Sequence, residues 1–249
     1  MTISPALRNL LSGGGSVCVL TGAGISAESG VPTFRSKDGI WSRFRPEELA
    51  SIDGFMKNPA LVLEWYAQRR AIVRTVHPNA GHDALVRMEQ SIPDFTIATQ
   101  NVDNLHARAG SKNVLELHGN IERDRCMDCG STDSPAAPGD ARELPRCRHC
   151  HGLLRPDVVW FGEELPVDAF QKAERAAKRS SLFLCVGTSA IVYPAASLPA
   201  IARSAGSYVV EINVERTEIS STVDEVLTGK AGDILPALAT VVQSSRVGV

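Results

Sequence analysis

Four cysteines in two close pairs carry the most specific chemical signal in the sequence. Two residues separate Cys126 from Cys129 and Cys147 from Cys150, and seventeen residues lie between the pairs. Two such turns supply the four thiolates that a tetrahedral zinc ion needs. Because four sulfur ligands leave no position for water, we expect this zinc to be structural. Two redox-active pairs are the alternative, which the missing strand-to-helix context of a thioredoxin motif disfavours.

Other cysteines and histidines have less specific meanings. His149 and His151 flank Cys150 and are alternative ligands, although four cysteines suffice. Cys18 and Cys185 lie inside apolar runs, and we expect both to be buried in the core.

A glycine-rich turn directly follows the first apolar run, in the sequence Thr-Gly-Ala-Gly-Ile-Ser-Ala-Glu-Ser-Gly over 21–30. Small residues let backbone N–H groups approach a diphosphate, which indicates a nucleotide or dinucleotide. A strand-to-helix turn that merely needs glycine is the alternative. A dehydrogenase should carry an acidic residue about 20 positions later, at the end of a second strand. Since 34–41 resembles no strand, we expect a dinucleotide that is cut as a substrate rather than used as a hydride carrier.

Polar side chains follow two further apolar runs. Gln100, Asn101 and Asp103 come after the run 95–99, and His118 directly follows the run 114–117. Open parallel sheets bind ligands at the carboxyl ends of their strands, where amides and a carboxylate can hold ribose hydroxyls and a carboxamide. The alternative for this loop is capping of the following helix. An isolated histidine is often structural, but the position of His118 at the presumed cleft favours a general base.

Tyr66 and Arg69 are three residues apart in the helical stretch 59–76, so both project from one face. A phenol and a guanidinium together can bind a carboxylate. With Arg70 and Arg74 nearby, a solvated basic face is the alternative. The apolar run 158–163, partly strand-like, forms either one wall of a cleft or part of the core.

The elements that must position these residues alternate along the chain. Short β-branched runs predict strands, and amphipathic stretches between them predict helices. That rhythm is typical of a parallel α/β sheet. Two segments, 34–75 and 120–155, break it and are interpreted as insertions beside the sheet. The predicted strands are 16–20, 95–99, 114–117, 182–186 and 208–212, and the predicted helices are 59–76, 80–90, 167–180 and 195–205.

Composition excludes several classes of protein. The 249 residues are 43% hydrophobic and carry a formal charge of −2, which excludes general disorder and gives no basic footprint for nucleic acid. No apolar run reaches the roughly 20 residues of a membrane-spanning helix, and the N-terminus lacks a signal-peptide pattern. We expect a soluble cytoplasmic protein with neither nucleic-acid nor membrane partners.

Taken together, these motifs resemble the sirtuin family of NAD-dependent protein deacylases over essentially the whole chain. Tyr66-x-x-Arg69 sits where the class III branch, which removes succinyl and malonyl groups, carries its signature. Thr33 stands where many deacetylase-type members have Asp, and Ala50 matches a small residue that enlarges the acyl pocket in this branch. The motifs that occur in the family order are 22–35, 99–104, 118–119, the four cysteines, 158–163, 187–189 and 212–215.

The resemblance implies a Rossmann-type parallel sheet with helices on both faces, joined to a smaller zinc-binding and helical module. The Rossmann part would comprise 1–33, 76–119 and 156–249, the helical insertion 34–75 and the zinc module 120–155. Substrates would meet in the cleft between the two parts. Acyl-lysine proteins or peptides would be the partners.

The resemblance also assigns roles to individual residues. His118 would be the general base, with Asn101 and Gln100 completing the catalytic group. Succinyl-, malonyl- and also acetyl-lysine would be substrates, and the products would be nicotinamide, O-acyl-ADP-ribose and free lysine. Acyl-lysine would contact Tyr66, Arg69, Ala50, Val158, Trp160 and Phe161. The co-substrate NAD would be held by Gly22, Ala23, Gly24, Glu28, Thr33, Phe34, Arg35, Trp41, Gln100, Asn101, Asp103, Gly187, Thr188, Ser189, Asn213 and Ala231.

Two other classes of function remain open. An ADP-ribosyltransferase or NAD hydrolase would use the same cleft and consume NAD without unmasking lysine. A catalytically silent zinc-ribbon adaptor is the third interpretation, but an adaptor needs none of His118, Asn101 and Asp103.

Overall fold

A computed structural model of the chain describes residues 3–33, 45–134 and 144–245. Its larger part is a six-stranded sheet in which every neighbouring pair of strands is parallel. The strands, in chain order, are β1 (Val17–Thr21), β2 (Phe95–Thr99), β3 (Val114–Glu116), β4 (Gly119–Cys126), β5 (Thr132–Asp133), β6 (Leu154–Val158), β7 (Leu182–Val186), β8 (Tyr208–Asn213) and β9 (Glu225–Thr228). The order across the parallel sheet is β3-β2-β1-β7-β8-β9.

Helices cover both faces of this sheet. In chain order, the α-helices of the described residues, not all of which contact this sheet, are α1 (Pro5–Ser12), α2 (Ala23–Ala27), α3 (Pro46–Leu49), α4 (Ile52–Lys57), α5 (Pro59–Thr75), α6 (Ala80–Ser91), α7 (Leu105–Ala109), α8 (Val167–Arg179), α9 (Leu198–Ser204) and α10 (Ala231–Ser244). Alternate residues of β1 face opposite cores, as the period of two in a strand requires. Val17 and Val19 pack with α1, α6 and α10, while Cys18 and Leu20 pack with α8 and α9. This architecture confirms the predicted Rossmann-type sheet.

The structure adds elements that the sequence patterns did not predict, among them α1, β9, α10 and the strands β4, β5 and β6. Helix α10 buries one regular face, at positions 231, 234, 235, 238, 239 and 242, but Pro236 inside it interrupts a pattern that otherwise predicts a helix. The stretch 195–205, predicted as one helix, is a 3₁₀ turn (Ala195–Ser197) followed by α9. Pro199 explains the break, because proline favours the first turn of a helix, where its missing N–H costs nothing.

A second, antiparallel sheet lies beside the first in the strand order β5-β4-β6. Strand β6 ends at Val158, so the strand-like interpretation of the run 158–163 is wrong beyond that residue. The chain turns there, since the N–H of Glu163 donates to the carbonyl of Trp160 over 3.0 Å. The side chain of Trp160 is nevertheless buried in a third core, formed by α4, α5 and this sheet.

A buried ion pair joins α5 to β4. The guanidinium of Arg70 donates from Nη2 to the Asp124 carboxylate over 2.8 Å and from Nε to the Ile121 carbonyl over 2.6 Å. On the same helix, Arg74 donates to Glu122 from the solvent-exposed side. The solvated basic face considered for α5 is therefore wrong for Arg70, whose charge is neutralised inside the protein.

Replacing Arg70 with methionine should destabilise the protein by about 3–5 kcal/mol, because the buried Asp124 carboxylate loses the guanidinium charge beside it. The side chains of this pair are only 11% and 5% exposed. Urea unfolding, followed by circular dichroism, measures the change in the free energy of unfolding.

Arg74→Met is the matched control, since it removes an ion pair whose arginine is 56% exposed. We expect a loss of no more than about 1 kcal/mol for this variant. Equal losses for the two variants would contradict a special role for the buried pair.

Candidate active site

A cavity of about 370 Å³ lies at the carboxyl edge of the parallel sheet, where it meets the antiparallel sheet and α5. Most residues singled out in the sequence contribute to its wall. These are Gly22, Ala23, Gly24, Thr33, Ala50, Tyr66, Arg69, Gln100, Asn101, His118, Val158, Trp160, Phe161, Gly187, Thr188, Ser189 and Asn213. The carboxyl ends of β1, β2, β7 and β8 bring the residues that follow them to one place.

The turns after β1 and β7 approach each other closely. The N–H of Gly24 donates to the carbonyl of Gly187 over 2.8 Å, and the N–H of Gly22 donates to Val186 over 3.0 Å. A Cβ on Gly24 would lie 2.6 Å from the Cα of Gly187, so a side chain does not fit there. Glycine at these positions lets the two turns pack directly against each other at the edge of the cavity.

Side-chain amides hold the loops around the cavity against one another. Asn101 donates from Nδ2 to the Gly22 carbonyl over 3.0 Å, and Gln100 donates from Nε2 to the Thr188 hydroxyl over 2.8 Å. Asn213 donates from Nδ2 to the Thr188 carbonyl over 3.0 Å. The loops after β1, β2, β7 and β8 therefore form one connected polar surface.

Asp103 does not line the cavity, although it is buried next to it. Its carboxylate accepts the N–H of Leu105, the first residue of α7, over 2.9 Å, whereas the N-cap residue Asn104 makes no side-chain capping bond. Burial raises the pKa of the Asp103 carboxyl group, and hydrogen bonds from Leu105 and Ser26 partly oppose that shift.

Glu28 and Ala231 also lie away from the cavity wall. Glu28 accepts the N–H of Gly232 over 2.9 Å and so connects the end of α2 to the start of α10. Ala231 is buried at that same helix start. Three further residues assigned to NAD, Phe34, Arg35 and Trp41, lie outside the described residues.

His118 lies between the two sheets with a defined tautomer. Its Nδ1 is 3.0 Å from the carbonyl oxygen of Gln100. Because a carbonyl only accepts, Nδ1 carries the hydrogen and Nε2 carries the lone pair. The His118 carbonyl accepts the N–H of Val159 over 2.9 Å, which fixes the backbone as well.

Tyr66 and Arg69 form the end of the cavity beside α5. The Tyr66 hydroxyl accepts the indole N–H of Trp160 over 2.8 Å, and burial raises the pKa of Tyr66 to about 12, which keeps the phenol protonated. The guanidinium carbon of Arg69 lies 4.9 Å from the centre of the Trp65 ring. Burial lowers the pKa of Arg69, although an arginine stays cationic at neutral pH.

Ala50 closes part of this end with a methyl group. It is buried, and its carbonyl accepts the N–H of Phe161 over 2.9 Å. A small residue here leaves room between the backbone of the α3–α4 loop and the aromatic side chains.

The four paired cysteines converge at the far end of the antiparallel sheet, with all four sulfurs within 4.8 Å of one another. Sγ atoms are separated by 3.4 Å for Cys126 and Cys150 and by 3.7 Å for Cys129 and Cys147. Tetrahedral Zn–S bonds of about 2.3 Å place sulfurs about 3.8 Å apart, so the cluster fits a zinc ion. His149 and His151 are exposed and do not belong to this cluster.

The other two cysteines, Cys18 and Cys185, are buried in the sheet, as expected. Burial raises the pKa of the Cys18 thiol to about 12, so it is unreactive.

The sequence patterns missed part of the cavity wall, including Val192, Tyr193 and Thr217. These residues follow the ends of β7 and β8, and the rule that ligands bind at the carboxyl ends of parallel strands would have indicated both loops.

Among the described residues, no helix combines the length and the apolar character needed to cross a membrane.

Known proteins are similar to this chain in both sequence and fold. An NAD-dependent protein deacylase of Aquifex aeolicus (strain VF5) is 50% identical over 222 residues, which cover 87% of this chain and 90% of that protein. A solved complex of a Sir2 homologue with NAD superimposes with a TM-score of 0.90 at 42% identity, covering 98% of this chain and 95% of the other.

A second similar structure contains an acylated peptide. It is Sir2Af2 bound to a myristoylated histone peptide, with a TM-score of 0.76, 35% identity and 98% of each chain covered. A sequence profile of the Sir2 family matches residues 22–194, which include the glycine-rich turn, His118 and all four paired cysteines. On these grounds the chain belongs to the Sir2 family.

Proposed function

We propose that this protein is an NAD-dependent protein-lysine deacylase that prefers acidic acyl groups, such as succinyl and malonyl, to acetyl. One observation carries the preference: Tyr66 and Arg69 line the same cavity as His118. The relatives support the deacylase activity through their names. The acyl preference is our inference from the side chains at the end of the cavity.

The wall of the cavity suits a dinucleotide. Glycine lets the turns after β1 and β7 pack together beside the cavity, and the amides of Gln100, Asn101 and Asn213 lie at the same edge. NAD, when bound, supplies a ribose carbon from which nicotinamide can leave. We assign its binding to Gly22, Ala23, Gly24, Thr33, Gln100, Asn101, Gly187, Thr188, Ser189 and Asn213.

His118 is proposed to act as the general base. Since Nδ1 holds its hydrogen against the Gln100 carbonyl, Nε2 is the atom that accepts a proton from a ribose hydroxyl. The Gln100 carbonyl then stabilises the imidazolium that forms, because the hydrogen bond becomes charge-assisted.

Arg69 and Tyr66 are proposed to recognise the far end of the acyl group. A guanidinium can hold a carboxylate through two hydrogen bonds, and a protonated phenol can donate a third. An acetyl group has no carboxylate and gains none of these hydrogen bonds, so an acidic acyl group is bound more tightly than acetyl. A long apolar acyl chain is the competing substrate, since one similar structure holds a myristoylated peptide, but a cation on the wall disfavours it.

Cys147→Ser should reduce the zinc content below one ion per chain and destabilise the antiparallel sheet, because the cysteines connect β4 to β6. Elemental analysis and thermal unfolding measure the two effects. The exposed neighbour His149 provides the control, and His149→Ala should retain the metal. A wild-type protein that is fully active without zinc would contradict the proposed metal site.

His118→Ala should lower kcat by about 10²- to 10⁴-fold and leave NAD affinity nearly unchanged, since the imidazole moves a proton and the cavity wall remains. Steady-state kinetics and calorimetric NAD titration separate the two quantities. His77→Ala, at an exposed histidine after α5, is the control. Near-normal deacylation by the His118 variant would refute the role of the base.

Arg69→Met should reduce the ratio of kcat/KM for succinyl-lysine to that for acetyl-lysine by about 10- to 150-fold, the effect of losing a charged hydrogen bond. Tyr66→Phe should reduce the ratio less. Paired peptides of identical sequence, followed by mass spectrometry, give both rates. Arg74→Met is the control on the same helix. An equal loss on both peptides would make Arg69 structural and contradict the acidic preference.

A further inference from the structure

A hydrogen bond from Trp160 determines how the Tyr66 hydroxyl can act as a donor and as an acceptor. Its oxygen accepts the indole N–H of Trp160 over 2.8 Å. An indole N–H only donates, so the phenol hydrogen must point to a different group. Because the Tyr66 side chain lines the cavity, an acceptor bound there is a suitable partner for that hydrogen.

Trp160 is itself held on several sides. Its side chain is 2% exposed, and its ring centre lies 5.2 Å from that of Phe55. Its backbone N–H donates to Oε2 of Glu163 over 2.8 Å. The indole therefore has little freedom to change the direction in which its N–H points.

Arg155 supports the same ring and the same turn. Its guanidinium carbon lies 4.1 Å from the centre of the Trp160 ring, which is a cation–π distance. Nη1 donates to the Val158 carbonyl over 3.0 Å, and Nη2 donates to the Glu163 carboxylate that also holds the Trp160 backbone. Arg155 is 2% exposed, and the ion pair with Glu163 offsets the cost of its burial.

A planar guanidinium is needed for this combination of contacts. It can stack on a ring while its N–H groups donate within their plane, whereas a lysine ammonium has a single charged centre with no plane to stack. Arg155, Trp160 and Tyr66 thus form one continuous set of contacts from β6 to the end of the cavity.

We propose that Arg155 is a positioning residue for recognition of acidic acyl groups, and that it acts by fixing the indole N–H of Trp160, which directs the Tyr66 hydrogen into the cavity. This inference rests on the proposed function. It adds to Tyr66 and Arg69 a specificity determinant that touches no substrate.

The Trp160→Phe variant tests the central link, because phenylalanine keeps an aromatic ring and lacks the N–H. The ratio of succinyl to acetyl kcat/KM should fall about 2- to 12-fold, the effect of one neutral hydrogen bond, and the change should lie mainly in KM for the succinyl peptide. In a Tyr66→Phe background, Trp160→Phe should cause no further fall, because the two residues act through one hydroxyl.

Arg155 variants test the outer link. Arg155→Met and Arg155→Lys should both lower the ratio, since neither side chain can stack and donate in one plane. Arg74→Met, which removes an exposed arginine from α5, is the control and should keep the wild-type ratio. Thermal unfolding verifies that each variant is folded, and the Trp160 and Tyr66 double-mutant cycle decides the inference if the Arg155 variants do not fold.

Three results would overturn the inference. They are a wild-type ratio in Trp160→Phe, an additive fall in the double variant, and restoration of the ratio by Arg155→Lys. In each case, a wild-type protein that still prefers succinyl would leave the proposed function intact. A wild-type protein that treats both peptides alike would instead contradict the proposed preference and the inference together.

Discussion

The short connection between the two sheets is the constraint on which the cavity depends. Strand β3 ends at Glu116 and β4 begins at Gly119, so Leu117 and His118 must carry the chain from one sheet to the other. Gly119 has a φ of 80°, and a Cβ there would lie 2.1 Å from the carbonyl oxygen of Asp157. Only glycine permits this crossing without moving the backbone.

The crossing also explains why the imidazole is held so firmly. Leu117 is fully buried, and its N–H donates to the Thr99 carbonyl over 2.9 Å. On the other side, the His118 carbonyl accepts from Val159. The residue between the sheets is fixed by both of them, so a small change in either sheet would change the direction of its side chain.

The sequence patterns predicted the sheet well, because its central strands are buried on both faces and are consequently runs of apolar, β-branched residues. They could not show which arginine of α5 faces the cavity. Residues three and four positions after Tyr66 both lie near it on a helix, so spacing alone permits Arg69 or Arg70 to face the cavity. The position of Asp124, far away in the sequence, decides the matter by binding Arg70. Likewise, no local pattern shows that Arg155 lies under Trp160.

The place of β1 in the sheet has a consequence for how the chain is made. Val17 pairs with Phe95 on one side and with Leu182 on the other, so the second partner is synthesised long after β1 itself. Until the ribosome has added β7, one edge of β1 has no strand beside it, and α9, which packs on its apolar residues, follows later still. Open edges of this kind pair readily with other chains. Long-range parallel pairing is also slow to form. The nascent chain is therefore open to pairing with other nascent chains until translation has passed residue 186, and this exposed edge of β1 is lost once β7 has joined the sheet.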